Sequence, residues 1–164
     1  MKTLILMRHA KSDYPDGVPD FDRPLAPRGE RDADAAGIWL AAAFPIIDEV
    51  VVSPARRARE TWARCAPHLD ARDVREDRRI YDDWGSCLPD VVAGIHAGAE
   101  TALIVGHNPG IEEYAERHAA AGDSAARARM LRKFPTCGIA VIGMHADASG
   151  GDGSLLRAFA VPRG

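Results

Sequence analysis

Two arginines and two histidines stand where apolar runs give out. Leu4–Met7 leads straight into Arg8 and His9 in "ILMRHAKS". Glu49–Val52 leads into "SPARRARET", with Arg56 and Arg57, and Thr101–Val105 into "GHNPG", with His107. One Arg-His pair at the end of a run needs no explanation beyond the chain reaching water. Three ends of the same character need one. Guanidinium and imidazole groups converging without a cluster of carboxylates would repel one another, so the group that suits them is a dianion such as a phosphoryl group, which arginine grips with two parallel hydrogen bonds. Metal binding is the rival chemistry for the histidines, and it is weaker, because His9 and His107 lack carboxylate or cysteine partners at ligand spacing. His68, His96, His118 and His145 lie away from these ends and read as solvated or satisfied.

The elements that would have to position these residues are legible as a pattern. Runs rich in Val, Ile and Leu at Leu4–Met7, Glu49–Val52, Thr101–Val105, Gly138–Gly143 and Leu155–Ala160 read as strands. Between the first two, Ala33, Ala36, Gly37 and Leu40 fall on one face of a helix. Further helices start at "SPARRARETW", cover "LPDVVAGIHAG", start at "NPGIEEYAERHAA" and span Ala125 to Lys133, and a short strand is expected near Arg79–Tyr81. This alternation predicts an α/β fold with a mostly parallel sheet and helices on both faces. "DASGGDGS", residues 147–154, reads as the turn of a hairpin joining the last two strands. In open α/β sheets ligands bind beyond the carboxyl ends of the strands. Ser53 reads as an N-cap before Pro54, and Asn108-Pro109 repeats the signal, so both helices would aim unpaired N–H groups at an anion.

The chain as a whole narrows the setting. Its 164 residues are the size of a single domain, 1–164, with neither an internal repeat nor a boundary. A net charge of −3 leaves no footprint of a nucleic-acid binder. No apolar run is long enough to span a membrane, and the N-terminal one is too short for a signal-peptide core. The three cysteines, Cys65, Cys87 and Cys137, make neither a CxxC pair nor a disulfide framework, so a reducing, cytoplasmic compartment is expected. Arg127, Arg129, Arg132 and Lys133 form a basic run, either a solvated helix face or a landing place for an acidic partner protein.

Taken in order, "RHAKS", "DRPLAPRG", "SPARRARET" and "GHNPG" resemble the histidine phosphatase superfamily, and within it the SixA-like phosphohistidine phosphatases. The likeness runs from Leu4 to about Ala119, and "KFPTCGIAVIGM" is similar to that branch's late strand. The resemblance implies a three-layer α/β/α fold of the phosphoglycerate-mutase kind, with no cofactor and no metal. It implies that His9 is the nucleophile that becomes phosphorylated and Arg8 the phosphate ligand beside it. Arg57, four residues after Ser53, matches the second arginine, leaving Arg56 and Arg59 as flanking surface charges. His107 matches the histidine that contacts the phosphoryl group from the other side. Ser12 either adds a hydroxyl to the phosphate or bonds local backbone.

Two departures from the family pattern bear on the substrate. Mutase and acid-phosphatase branches use a carboxylic acid to protonate an alkoxide leaving group, and the matching region here is "IYDDWGSCLPD". Asp82 or Asp83 can serve, but each reads equally well as a solvated acidic turn. An imidazole leaving group can depart neutral when its remote nitrogen is protonated, so it needs less help from such an acid, and the lack of a matching one leans towards phosphohistidine. The second departure is Ala26, where the family often has a capping serine, which weakens the first helix start by ~1 kcal/mol. The expected activity is removal of the phosphoryl group from phosphohistidine in a protein. The alternatives are a phosphatase for small phosphate esters with the same His9 chemistry, or a phosphate-binding module without turnover. The loop Ser12–Arg23, "SDYPDGVPDFDR", is stiffened by its prolines, and a shallow, open site beside it is expected.

Overall fold

Four consecutive apolar residues, Leu4 to Met7, must be covered on both faces, and in the computed structural model of the chain each of them is fully buried. The structure describes residues 1–82, 86–144 and 153–164. Its strands are β1 (Thr3–Arg8), β2 (Ile46–Val52), β3 (Asp70–Glu76), β4 (Thr101–Gly106), β5 (Ala121–Gly122), β6 (Ile139–Gly143) and β7 (Leu155–Ala160). They form a seven-stranded sheet in the order β3-β2-β4-β1-β6-β7-β5. Among these strands β6 alone runs against the rest, pairing antiparallel with β1 and β7, so the sheet is mostly parallel as the alternation predicted. The helices are α1 (Pro27–Ala43), α2 (Arg56–Cys65), α3 (Arg79–Asp82), α4 (Leu88–Ala93), α5 (Gly110–His118) and α6 (Ser124–Arg132).

Side chains alternate across a strand, and the core divides accordingly into two layers. Ile5 and Met7 join Val50, Val52, Leu103 and Val105 beneath α1 and α2. Leu4 and Leu6 join Val51, Ile104, Ala140 and Ile142 on the opposite face, beneath α4, α5 and α6. Ala33, Ala36, Gly37 and Leu40 are the buried face of α1, as their spacing required. That helix starts at Pro27 behind Ala26, which makes no side-chain cap. Gly29 in its first turn lies so close to the Lys11 carbonyl that a Cβ there would overlap it. This close approach brings α1 against the segment that follows β1.

Register sets the site. Arg8 pairs with Gly106, and Val105 pairs with both Met7 and Val52. β1, β4 and β2 are therefore neighbours that end nearly level, with His9, His107 and Ser53 just beyond them.

Three expectations fail. Arg79–Tyr81 is helical, within α3, because Asp77 takes the Arg79 backbone N–H and the Asp77 carbonyl that of Ile80. The strand of this region is β3, whose "DARDVRE" carries no apolar alternation; it is an edge strand held by charge, with Arg75 on the buried Glu49 at 2.9 Å and Arg72 on Asp48 at 2.9 Å. Ser53 does not cap α2, which begins at Arg56 behind Ala55. Asn108-Pro109 does not repeat that signal either, since α5 begins at Gly110 behind Pro109 with no side-chain cap. The β6–β7 pair is antiparallel as expected, while residues 145–152 between them, and with them His145, lie outside the described residues. Among the described residues no helix is long and apolar enough to cross a membrane.

Candidate active site

His9 follows the last residue of β1 and is 8% exposed. Its backbone N–H goes to the Gly106 carbonyl at 2.9 Å, and the next N–H, of Ala10, goes to Thr61 Oγ1 at 2.9 Å. Cys137 donates its N–H to the carbonyls of both Arg8 and His9, at 3.2 and 3.1 Å, from a left-handed conformation with φ 62°. The ring is fixed as firmly as the backbone. Nδ1 lies 2.7 Å from the Ala10 carbonyl, an acceptor only, so Nδ1 carries the proton. Nε2 receives a hydrogen bond from Arg57 Nε at 3.3 Å, which requires a lone pair there. Both partners select one neutral tautomer, with Nε2 basic and facing the arginine.

Arg57 is supplied by α2. Neighbouring residues on a helix point about 100° apart, so only one of Arg56 and Arg57 can face β1. The side chain that does so is Arg57, 8% exposed, while Arg56 is 48% exposed and pairs with Glu60 at 2.6 Å. Thr61, one turn on, donates to the Arg57 carbonyl at 2.6 Å and ties this helix to Ala10. The outer nitrogens of Arg57 meet Asp20, Nη1 at the carbonyl (2.6 Å) and Nη2 at Oδ2 (3.1 Å). Tyr81 OH donates to the same Oδ2 at 3.0 Å, and Arg23 Nη1 to Oδ1 at 2.8 Å. Burial alone would raise the Asp20 carboxyl, but the bonds from Arg23, Tyr81 and Arg57 outweigh it and hold the group at about 2.

His107 follows β4, with its ring 5.0 Å from that of His9. Its Nε2 lies 2.7 Å from Ser53 Oγ, which itself accepts from the Ala55 N–H at 3.4 Å. The serine proton is thus free to go to Nε2, leaving the ring proton on Nδ1 as a donor. Ser53 therefore orients His107 instead of starting a helix. Burial and then the Arg57 charge push His107 down to about 3, with Asp20 opposing. Burial and then His107 push His9 well below the ordinary histidine range, against the Ala10 carbonyl. Arg8 donates Nη1 to the Phe134 carbonyl at 2.8 Å. Among the described residues, the buried side-chain polar atoms without a partner are Arg8 Nε, His107 Nδ1 and Asn108 Oδ1. Unpartnered buried polar atoms are rare, and three on one cleft mark a place for a polar ligand.

That cleft has a volume of about 490 Å³ and brings together Arg8, His9, Ser12, Arg57 and His107. Ser12 faces it, with its hydroxyl accepting from Arg23 Nη2 at 2.6 Å. The loop Ser12–Arg23 contributes Tyr14, Asp20 and Arg23 to the wall, so the site is a walled cleft and not the shallow one expected. Asp82 lines the cleft but pairs with Arg78 at 2.8 Å; Asp83 lies outside the described residues. The sequence does not single out Asp20 and Tyr81 as site residues, holds Arg23 only within the motif "DRPLAPRG", and marks Asn108 only as a helix start, because neither a loop nor a single helical turn carries a periodicity that says which way a side chain faces. Of the other histidines, His68 pairs with Asp34, His96 Nδ1 accepts from the Gly98 N–H, and His118 stacks on Tyr114. In the basic run, Arg127 and Arg129 are tied inward to the carbonyls of Ala119 and Phe159.

Two histidines held neutral make stability depend on pH. In the unfolded chain both rings protonate near their ordinary value of about 6.5, whereas folded His107 protonates only near 3 and His9 well below the ordinary value. Below about pH 6.5 the unfolded state therefore binds more protons, and stability falls as pH drops. The expected slope is up to about 1.4 kcal/mol per pH unit for each ring. Urea unfolding in phosphate-free buffer between pH 7 and pH 4.5 measures it, and a flat profile would contradict the neutral, buried pair.

Comparison with known proteins matches this geometry to a family. The model of the histidine phosphatase superfamily (branch 1) matches residues 4–129. An uncharacterized protein of Mycobacterium tuberculosis is 43% identical over 162 residues, covering 96% of this chain and 100% of that protein. A structure from Nakamurella multipartitia, provisionally named as the phosphohistidine phosphatase SixA, superposes with a TM-score of 0.81 at 32% identity, over 98% of this chain and 96% of that one. The protein histidine phosphatase SixA complexed with tungstate shares the fold, with a TM-score of 0.76 at 21% identity over 98% and 97% of the two chains. The strand ends, the sheet order and these matches agree, and the chain belongs to the histidine phosphatase superfamily, on its SixA-like side.

Proposed function

We propose that this chain is a metal-independent phosphatase that moves a phosphoryl group first to Nε2 of His9 and then to water, and that its substrate is phosphohistidine in a protein. The observation that carries the reading is the state of His9. Nδ1–H is committed to the Ala10 carbonyl, so Nε2 keeps a lone pair, held by the long 3.3 Å bond from Arg57 Nε at the edge of the cleft and available to phosphorus when that bond passes to a phosphoryl oxygen. As the P–Nε2 bond forms, the substrate's own P–N bond breaks and its electron pair stays on the departing ring. That ring leaves as neutral imidazole with the proton on its remote nitrogen. Arg8 Nε, the free N–H bonds of Arg57 and Nδ1–H of His107 stabilise the three equatorial oxygens, which is the substance of phosphoryl-transfer catalysis. Water then attacks phosphorus, the P–Nε2 bond breaks with its electron pair returning to Nε2, phosphate leaves as the dihydrogen anion with both protons of the water, and neutral His9 is restored.

The substrate class rests on the acids. Among the described residues lining the cleft, the carboxyl groups are Asp20 and Asp82. Asp20 is ionised at neutral pH and so offers no proton to an alkoxide, and Asp82 turns its carboxylate to Arg78 at 2.8 Å. An imidazole leaving group needs less help from an acid than an alkoxide does. None of the three cysteines is in a disulfide, which suits a reducing, cytoplasmic setting for such a substrate. The cleft volume favours a second reading, a small phosphate ester, since pockets for small molecules run from about 300 to 1,000 Å³.

Turnover on a phosphohistidine-bearing protein, several small phosphate esters and pyrophosphate separates the two. Phosphohistidine is expected to lead. A small ester used with a thousandfold better kcat/KM would promote the second reading, and no turnover on any of them would leave a binding module. Activity is also expected to survive exhaustive chelation and to be blocked by tungstate or vanadate, which present the same oxygens to the arginines. Loss on chelation with recovery on adding zinc or magnesium would make His9 and His107 metal ligands.

A further inference from the structure

Resting on the reading of His9 as the phosphoryl acceptor, we propose that Asp20 is the positioning residue for Arg57. Its carboxylate and its main-chain carbonyl together hold the outer nitrogens of the guanidinium, so that Nε–H is aimed at the point where phosphorus meets His9. Arginine has five N–H bonds in a rigid plane. Three are placed here: Nε–H on His9 Nε2 at 3.3 Å, one from Nη1 on the Asp20 carbonyl at 2.6 Å, and one from Nη2 on Oδ2 at 3.1 Å. Two contacts on one plane fix its rotation as well as its position, and one N–H on each outer nitrogen remains for phosphoryl oxygens. Asp20 is itself fixed from two other directions. Tyr81 OH reaches Oδ2 at 3.0 Å from α3, and Arg23 reaches Oδ1 at 2.8 Å while holding Ser12 Oγ at 2.6 Å. The Tyr81 ring in turn meets that of His107 edge-on, with centroids 5.6 Å apart. One loop carboxylate thus joins the loop after β1, α2 and α3 around the two histidines. Asp20 touches neither His9 nor the phosphoryl position through any of these bonds, so its effect on the reaction passes through Arg57.

The rival for the same contacts is an internal anion that competes with the phosphoryl group for Arg57. The two readings differ in sign. A positioning carboxylate, once removed, leaves Arg57 free to rotate, so oxyanion binding weakens. A competing carboxylate, once removed, frees the arginine, so oxyanion binding tightens.

The test is Asp20→Ala, with Tyr81→Phe as a milder variant that removes only the hydroxyl, each made in the wild-type and in the Arg57→Ala background. Tungstate affinity is read by calorimetry, which needs no turnover, and kcat and KM by phosphate release. In the wild-type background, Asp20→Ala is expected to lower kcat about a hundredfold, the scale of a misplaced positioning group. It is also expected to weaken tungstate binding, and Tyr81→Phe should move both in the same direction by less. In the Arg57→Ala background neither change should have any further effect. A role confined to holding the loop would instead lower activity equally in both backgrounds, and that result overturns the proposal, as does tighter tungstate binding. If the wild-type chain turns over no phosphoryl substrate, the reading of His9 falls, while the calorimetric arm still decides whether Asp20 places Arg57.

Discussion

A rapid quench during turnover is expected to trap phosphate on His9, through a bond that is labile in acid and stable in base. His9→Ala is expected to lose essentially all turnover and yet remain folded. The geometry separates the two outcomes. The side chain touches the Ala10 carbonyl through Nδ1 and Arg57 through Nε2, and neither bond crosses between the two apolar layers of the core. The ring is a polar group buried without charge, and its removal leaves Arg57 anchored on Asp20. What disappears is the one basic nitrogen whose lone pair the surroundings hold ready. Thermal unfolding of the variant within a few degrees of the parent, with no labelled phosphoenzyme and no turnover, is the expected set of results. Label on a different residue, or turnover by the alanine variant, would falsify the covalent route through His9.

The part of this site that could be read in the sequence is the part that lies on strand ends. A strand's C-terminus is marked twice, by the end of an apolar run and by the small or polar residues that follow it. Arg8, His9 and His107 could therefore be placed relative to one another once the sheet was taken as parallel. Register then did what no pattern could, setting Gly106 beside Arg8 and Val52 beside Val105 so that the three ends stand level. The buried face of α1 was legible for a similar reason, since Ala33, Ala36, Gly37 and Leu40 declare a period of 3.6. β3 was not legible, because an edge strand with solvent on one side needs no apolar face; its "DARDVRE" is held by Arg75 on Glu49 and Arg72 on Asp48.

Ser53 shows how a correct local signal can serve a different end. A serine before a proline is a good helix start, yet here its hydroxyl is taken by His107, and α2 begins three residues later. Tertiary contact outranked the cap. Asp20 shows the opposite limit. The convergence of cations without carboxylates was inferred from the strand ends alone, and the balancing carboxylate arrived from a loop 37 residues away from Arg57 in sequence. Loop conformation is set by many weak contacts, here the Arg23 bonds to Ser12 and Asp20 and the packing of Phe21 against Tyr81, none of which has a sequence period. What the loop does to the shape of the site was lost with it, which is why a walled cleft replaced the shallow one.

The adjacent arginines give the second large effect. Arg57→Ala is expected to lower turnover by roughly 10²–10³-fold, the loss of about 3–4 kcal/mol that follows removal of one preorganised donor from a developing oxyanion. Arg56→Ala is expected to change it by less than about threefold, since an exposed pair such as that of Arg56 with Glu60 contributes about 0.2–1 kcal/mol. The contrast isolates position from charge, because both variants remove one guanidinium from the same turn of α2. Folding does not confound it. Without Arg57, Asp20 keeps Arg23 and Tyr81 and is 55% exposed, so no buried charge is stranded. Arg57→Lys is the sharper variant: it keeps the charge, but a single ammonium cannot hold both the main-chain carbonyl and Oδ2 of Asp20 and still present a planar N–H edge to phosphorus. It should fall at least about tenfold below the parent, on the scale expected for losing part of one such donor. Steady-state rates with thermal unfolding run alongside decide the matter. Equal losses from Arg56→Ala and Arg57→Ala would mean that the cleft needs only positive charge near α2. A larger loss from Arg56→Ala would mean that the helix turns its other face to His9 when substrate is bound.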